Sequence, residues 1–405
     1  LGLDLGIVMA KGVVCGVIAC VTVLPAMVLV FDRAIERTSH KNLLPEFKRT
    51  SAFIMKRSWI FLVAAVVLLI PAAYGNHNYD VYYNLDSTLP ADLDSVVANT
   101  KLSEEFDMNS THLLLVRSDM EAKSARKMVD EIKNTDGVQF ALSFDSLVGS
   151  AIPEEIIPDS VKSILKSDDW QLMLIGSAYN VATDQATQQI KAINSIVSRY
   201  GPDGMLIGEA PATQDLIEIT DHDFKVVSVL SIAAVFLIIA FTLKSFSLPV
   251  ILVAVIELAI MINLGLAYYM GTSLPFIASV VIGTIQLGAT VDYAILMTTR
   301  YRTERSSGKA KKEAVSIALS TSVKSIVTSG LGFFAATVGV AVYSKIGMIS
   351  SLCVLLSRGA LISMAVVIGV LPSMFMVFDG LICRTSKGFL PENEKTSHKH
   401  RIKLA

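Results

Sequence analysis

Between Phe276 and Thr299 the chain runs through apolar residues with one ionisable acid among them, Asp292, followed directly by Tyr293. A stretch of that length crosses the hydrocarbon core of a bilayer, which needs roughly 20 residues. Arg300, Arg302 and Arg305 follow at once and mark its cytoplasmic end. In a helix ending near Thr299, Asp292 lies roughly 10 Å inside that end at about 1.5 Å per residue. A charged acid there costs on the order of a few kcal/mol, so an intramembrane acid marks a functional site by default. Asp292 is read as a proton-relay group, one that takes up a proton and releases it when water or a cation arrives. A structural hydrogen bond inside a helix bundle is the plainer alternative.

Six other stretches share the apolar character: Leu5 to Val30, Trp59 to Tyr74, Phe224 to Leu243, Leu248 to Met270, Ser316 to Tyr343 and Gly347 to Phe378. With 52% hydrophobic and only 18% charged residues, the chain reads as a polytopic α-helical membrane protein of about seven spans. Soluble domains carry about 25% charged residues. Basic residues gather in a linker (32–57), in the loop after the fifth span and in a tail (380–405), all on one side of the alternating spans. That side is cytoplasmic by the positive-inside rule, and the non-membranous segment 76–223 lies on the other. The membrane is read as the plasma or inner membrane.

Several classes drop out. The Lys and Arg clusters all adjoin apolar spans, so there is no nucleic-acid footprint. No phosphate loop, nucleophile elbow or metal motif occurs, and His112 and His222 have no ligand spacing, so neither enzyme nor cofactor is expected beyond protons as coupling ion. Cys15, Cys20, Cys353 and Cys383 have no redox spacing and are expected as free thiols.

Segment 76–223 alternates between strand and helix patterns. Thr111 to Val116, Val138 to Phe144, Trp170 to Ile175 and Met205 to Gly208 read as strands, and Met120 to Asn134 and Asp184 to Tyr200 as helices. Two βαβ units in series predict an extracytoplasmic α+β ferredoxin-like sandwich with helices on one face. Pro153 to Lys166, between the units, reads as a short helix, and Phe53-Ile-Met as an amphipathic piece on the membrane surface. The layout is thus 1–31 (span), 32–57 (linker), 58–75 (span), 76–223 (outside domain), 224–379 (five spans) and 380–405 (tail).

Other polar residues lie inside the spans. Ser320, Lys324 and Thr328 recur at four-residue spacing, with Thr321, Ser325 and Ser329 beside them, on one face of the sixth span. That stripe could line a water path to Asp292, with Lys324 as counter-charge; packing through hydroxyls, worth about 1 kcal/mol each, is the structural alternative. Glu257 and Asn263 are unusual in lipid, and Glu257 is a candidate second titrating or substrate-path group. Lys11 and Arg358 are expected to pair with acids or headgroups, and Asp221 and Asp223 to sit at a solvated helix start.

The first and last spans repeat each other. Val23 to Ser39, beginning Val-Leu-Pro-Ala-Met and continuing through Phe-Asp, matches Val370 to Ser386, and in the same register Lys11-Gly12 meets Arg358-Gly359. Both run inward, which is a parallel repeat about an axis along the membrane normal. The second copy continues with an outward span, an outside domain and five spans, whereas only the last span of the first copy is present. The chain opens at Leu1, so it is expected to be the second part of a protein with about twelve spans and two outside domains.

Gly288-Ala-Thr-Val-Asp292-Tyr293 in the fifth span, the paired Leu-Pro-x-Met spans and the outside βαβ domain together resemble the resistance–nodulation–division (RND) superfamily, in its MMPL branch, over essentially the whole chain. The resemblance implies an RND-type bundle and a porter domain. It also implies a proton relay in which Asp292 carries the proton, Tyr293 hydrogen-bonds it, and an equivalent Asp-Tyr helix of the other half faces them. Lys324, Thr328, Ser329 and Glu257 are candidates for relay or path support. Export of lipid-like or amphiphilic molecules driven by the proton-motive force is then the expected function. A non-transporting sterol or lipid sensor and a protein-secretion accessory are the alternatives. Expected partners are a membrane lipid or hydrophobic small molecule and the N-terminal half of the same transporter, with a homo-oligomer left open.

Overall fold

The computed structural model describes residues 2–38, 47–84, 88–147 and 164–389. The chain divides into two units, Leu1–Glu46 and Phe47–Ala405. The first holds one helix, α1 (Gly2–Arg37), whose described side chains are exposed along its length.

The second unit opens with α2 (Lys48–Lys56), which contains the expected amphipathic Phe53-Ile-Met piece. Ile54 and Met55 reach into the apolar core of the bundle, while Phe53 stays exposed. The span α3 (Ser58–Asn78) follows and leads into β1 (Val81–Tyr82) and α4 (Asp94–Phe106). Then come β2 (Ser110–Arg117), α5 (Ala122–Lys133), β3 (Val138–Leu142), α6 (Phe144–Leu147), β4 (Trp170–Ser177), α7 (Asp184–Tyr200) and β5 (Met205–Gly208). Neither α4 nor the short parallel pairing of β1 with β6 (Leu274–Pro275) had a recognisable sequence pattern. The short helix expected over 153–166 falls mostly outside the described residues.

Strands β3-β4-β2-β5 form one sheet in that order, and every neighbouring pair is antiparallel. The alternation of β2 buries Leu114 and Val116, and β4 buries Met173 and Ile175, on the face covered by α5 and α7. Met128 and Ile132 of α5 and Ile193 and Val197 of α7 close that core. His112 lies in the same face, fully buried, with Nε2 3.3 Å from Gln189 Oε1.

Five long helices complete the bundle: α8 (Glu209–Leu243), α9 (Ser247–Met270), α10 (Ala278–Ser306), α11 (Lys311–Tyr343) and α12 (Gly347–Thr385). With α1 and α3, seven helices among the described residues are long and apolar enough to cross a membrane, as expected of a polytopic helical membrane protein. Their ends differ from the sequence boundaries. The break expected at Asp223 falls inside α8, which runs unbroken from the end of β5. Helix α10 continues past Arg300, Arg302 and Arg305 to Ser306, and α12 continues into the expected tail as far as Thr385. Asp292 is therefore midway along α10, about 21 Å from either end at about 1.5 Å per residue.

Helix α9 is the hub, packing on α3, α8, α10 and α12. Its contact with α3 needs two glycines: a Cβ on Gly75 would lie 2.5 Å from the Gly265 carbonyl oxygen. Apolar side chains do not drive helices together in lipid, so such close backbone approach is what association rests on.

Candidate functional site

Asp292 is exposed, although it sits at the middle of a membrane helix. Gly288, Asp292, Leu296 and Thr299 follow the helical repeat on one line of α10, and all four are exposed. Helix α11 packs antiparallel beside it and presents Ser325, Thr328, Ser329 and Gly332, also exposed. The bundle thus turns small and polar residues outward around Asp292, an acid inside a membrane span. Lipid contact would cost a charged acid on the order of 3 kcal/mol at that depth.

Tyr293 points the other way. It is 5% exposed, packed in the main apolar core, with its hydroxyl beside Ser329 of α11. Tyr293 and Ser329 are the two expected site residues from different helices that the fold brings together. Thr328 donates its hydroxyl to the Lys324 carbonyl oxygen at 2.9 Å, and Thr321 donates to Ile317 at 2.7 Å, so these hydroxyls bond within their own helix. Lys324 is half-buried, and among the described residues no ion pair joins it to Asp292; the counter-charge expectation has no contact behind it.

Glu257 belongs to a different place. On α9 it lines a cavity of about 230 Å³, together with Tyr79, Ser228, Ser231, Ser279 and Thr284. Asp292 is not among the lining residues. Among the described residues no three or more His, Cys, Asp or Glu side chains converge as metal ligands, and the four cysteines are free thiols.

A buried polar chain, not foreseen as a unit, crosses α9, α10 and α12. Arg358 donates through Nε to Asn263 Oδ1 at 2.9 Å and through Nη2 to the Asn263 carbonyl at 2.6 Å. Asn263 Nδ2 donates to Gln286 Oε1 at 2.8 Å, and Gln286 Nε2 donates to Ser363 Oγ at 3.0 Å. The Ser363 and Thr290 hydroxyls stand 2.8 Å apart, and Thr290 donates to the Gln286 carbonyl at 2.6 Å. Asn263, Gln286, Thr290 and Ser363 are all buried. A satisfied network in low dielectric fixes its helices relative to one another, and this one ends two residues before Asp292. Asn263 and Arg358 stood out in the sequence only as isolated polar residues in lipid.

A second buried cluster ties α10 to α12 at the end remote from the sheet. Asp379 accepts from the Tyr301 hydroxyl and from Arg305, through Nε at 3.1 Å and Nη2 at 3.2 Å. The Arg305 and Asp379 side chains are only 15% and 13% exposed, so this pair is part of the packed structure and not a surface ion pair. Tyr301 stacks on Phe375 with ring centroids 4.7 Å apart. The available sequence signal was the Phe-Asp shared by both copies of the repeat.

Comparison with known proteins bears on what such a bundle belongs to. A model of the MMPL family matches residues 87–396. A Bacillus subtilis (strain 168) protein named "Putative membrane protein YdgH" is 26% identical over 359 residues, covering 85% of this chain and 38% of that protein. A Mycobacterium tuberculosis protein named "Probable transport protein MmpL12" is 23% identical over 363 residues, covering 85% of this chain and 30% of its own length. The chain thus spans well under half the length of these relatives.

Proposed function

The chain belongs to the MMPL family, and from that premise we propose that it is part of a proton-driven secondary transporter that exports lipid-like or amphiphilic molecules across the plasma membrane. Asp292 carries the coupling proton, and Tyr293, with its hydroxyl beside Ser329, anchors the helix next to it instead of hydrogen-bonding the carboxylate as the resemblance implied. One observation carries this reading: the intramembrane acid Asp292 is turned out of its own bundle, with exposed glycine, serine and threonine among its neighbours on that face. A carboxylate in that position calls for a polar counterpart from another bundle. The equivalent Asp-Tyr helix of a first repeat answers that need. The transport name of the Mycobacterium relative points the same way.

In this reading segment 76–223 is a ferredoxin-like porter domain outside the cytoplasm. The β-α-β-β-α-β order and the antiparallel sheet support it. Proton uptake at Asp292 shifts α10 against its neighbours. Helix α8 carries movement to the sheet, because it follows β5 directly at Gly208 and packs on β2 and β5. One charge falling through 100 mV supplies about 2.3 kcal/mol, enough to bias a two-state switch. The cavity beside Glu257, with its hydroxyl and aromatic lining, suits the head of an amphiphile. The same cavity would suit a lipid sensor, which predicts lipid binding without proton flux.

The test is transport by Asp292→Asn in the complete protein. Loss of proton-coupled export with retained membrane insertion is expected; export that keeps its rate and its pH dependence overturns the assignment.

A further inference from the structure

Glu257 is the one charged residue on the wall of the cavity between α3, α8, α9 and α10. Elsewhere in the bundle Asp379 is paired with Arg305, and Glu304 with Lys309. Among the described residues no hydrogen bond or ion pair engages the Glu257 carboxylate, which faces the cavity instead. It lies roughly 20 Å from the end of α9 at Met270, at about 1.5 Å per residue. An acid at such a position inside a membrane span marks a functional site unless a neighbour pairs it.

The other polar groups of the wall leave oxygen lone pairs facing inward. Thr284 spends its proton on the Val280 carbonyl at 2.7 Å, so its oxygen is left to accept. Ser231 adds a second hydroxyl, and no Lys, Arg or His lines the cavity. One carboxylate with spare acceptors and no cation calls for a positive ligand that carries N–H donors. A bare metal ion fits poorly. The volume of about 230 Å³ is several times the roughly 30 Å³ of one water, and Ile232, Ile260, Met261 and Leu264 make much of the wall apolar. The ligand therefore has an apolar body next to its charge. Aromatic rings gather near Ser228 and Ser279. Phe276 stacks on Tyr83 at 5.3 Å and on Phe224 at 6.4 Å, and Phe224 and Phe276 precede those serines by about one helical turn. Ring faces attract cations and disfavour anions.

We propose that this cavity selects amphiphiles whose head is a protonated amine, with Glu257 as the counter-charge. The inference rests on the amphiphile-export reading and adds the charge of the head. The ammonium donates to the Glu257 carboxylate and to the oxygens of Ser231 and Thr284, and its first carbons lie against Ile260 and Leu264. The cavity is smaller than the roughly 300–1,000 Å³ of sites that enclose a drug-sized ligand. The rest of the chain therefore stays outside, along the exposed flank of α8 at Val229 and Leu230. Glu257 binds the head, and the coupling proton stays with Asp292.

The experiment measures binding of dodecylamine, dodecanol and dodecyltrimethylammonium to the complete protein in phosphatidylcholine nanodiscs at neutral pH, with empty nanodiscs subtracted. The parent is expected to bind dodecylamine about ten-fold or more tighter than dodecanol, as a charge-assisted hydrogen bond implies. The trimethylated head, charged but without N–H, is expected between them, and Glu257→Gln is expected to bring all three together. Lysophosphatidylethanolamine distinguishes the sources of the amine. Binding as tight as dodecylamine supports an aminophospholipid head, and binding no tighter than dodecanol supports a free long-chain amine. A parent that binds dodecanol as tightly as dodecylamine overturns the inference, and this comparison needs no variant. An undiminished amine preference in Glu257→Gln, or displacement of dodecylamine by sodium but not by potassium, overturns it as well. Proton-coupled export by a parent without amine preference sinks this inference alone. Amine preference in a protein without such export keeps the site and overturns the exporter reading.

Discussion

Asp292 and Tyr293 are adjacent on α10 and face different ways: the carboxylate is exposed, and the tyrosine is 5% exposed in the core beside Ser329. One residue of rotation, about 100° on a helix, separates an exposed carboxylate from a ring fixed by packing.

This division predicts a split between stability and function. In the 405-residue chain, Asp292→Asn changes stability by no more than about 0.5 kcal/mol, as exposed substitutions do. Tyr293→Ala opens a hole in the core and costs about 3 kcal/mol. Thermal unfolding in detergent measures both, and a large loss with Asp292→Asn would mean that its carboxylate already has a structural partner.

The pair of Arg305 and Asp379 is buried at the remote end of the bundle. Asp379→Asn leaves the guanidinium without its anion and is expected to destabilise the bundle by about 3 kcal/mol or more. Arg300→Gln serves as the control, because its contact with Glu304 engages a side chain that is 47% exposed, and it should cost less than about 1 kcal/mol. Equal effects of the two variants would contradict the burial argument.

Gly75→Ala tests the α3–α9 crossing. The new methyl would stand 2.5 Å from the Gly265 carbonyl oxygen, so the helices must separate. Overpacking of this kind costs about 1–3 kcal/mol. Gly332→Ala, with nothing within 4 Å of its added Cβ, should be neutral in the same unfolding measurement.

How much of this could be read in the sequence depends on range. Asp292 stood out because a lone acid in an apolar run is visible within one turn of chain, and the sheet strands because side-chain alternation is local. The Asn263–Gln286 bond and the Arg305–Asp379 pair join residues far apart in sequence, where no period connects them. The unbroken α8 was missed for a different reason. Its first turns, through Asp223, are rich in polar residues and adjoin the sheet domain, and polar residues ahead of an apolar run look like a linker.

His112 supplies a pH prediction for the sheet domain. Burial lowers its pKa, and the Gln189 contact opposes this more weakly. The folded state thus favours the neutral ring, and its Nδ1 has no partner among the described residues. The unfolded chain, with a histidine pKa of about 6.5, binds more protons below that value. The stability contribution is complete above about pH 6.5 and is lost as pH falls from there toward the folded pKa. Urea unfolding followed by Trp170 fluorescence should show this slope, and His112→Gln should flatten it; an unchanged slope in the variant would assign the pH dependence to other groups.

The most direct test of Asp292 as coupling group is proton flux in proteoliposomes holding the complete protein under an imposed pH gradient. The account predicts flux in the parent protein and none above the empty-vesicle leak in Asp292→Asn, with Glu257→Gln still conducting protons. Flux in Asp292→Asn equal to the parent, or none in the parent itself, would contradict it, and the second outcome would favour a lipid-sensing role.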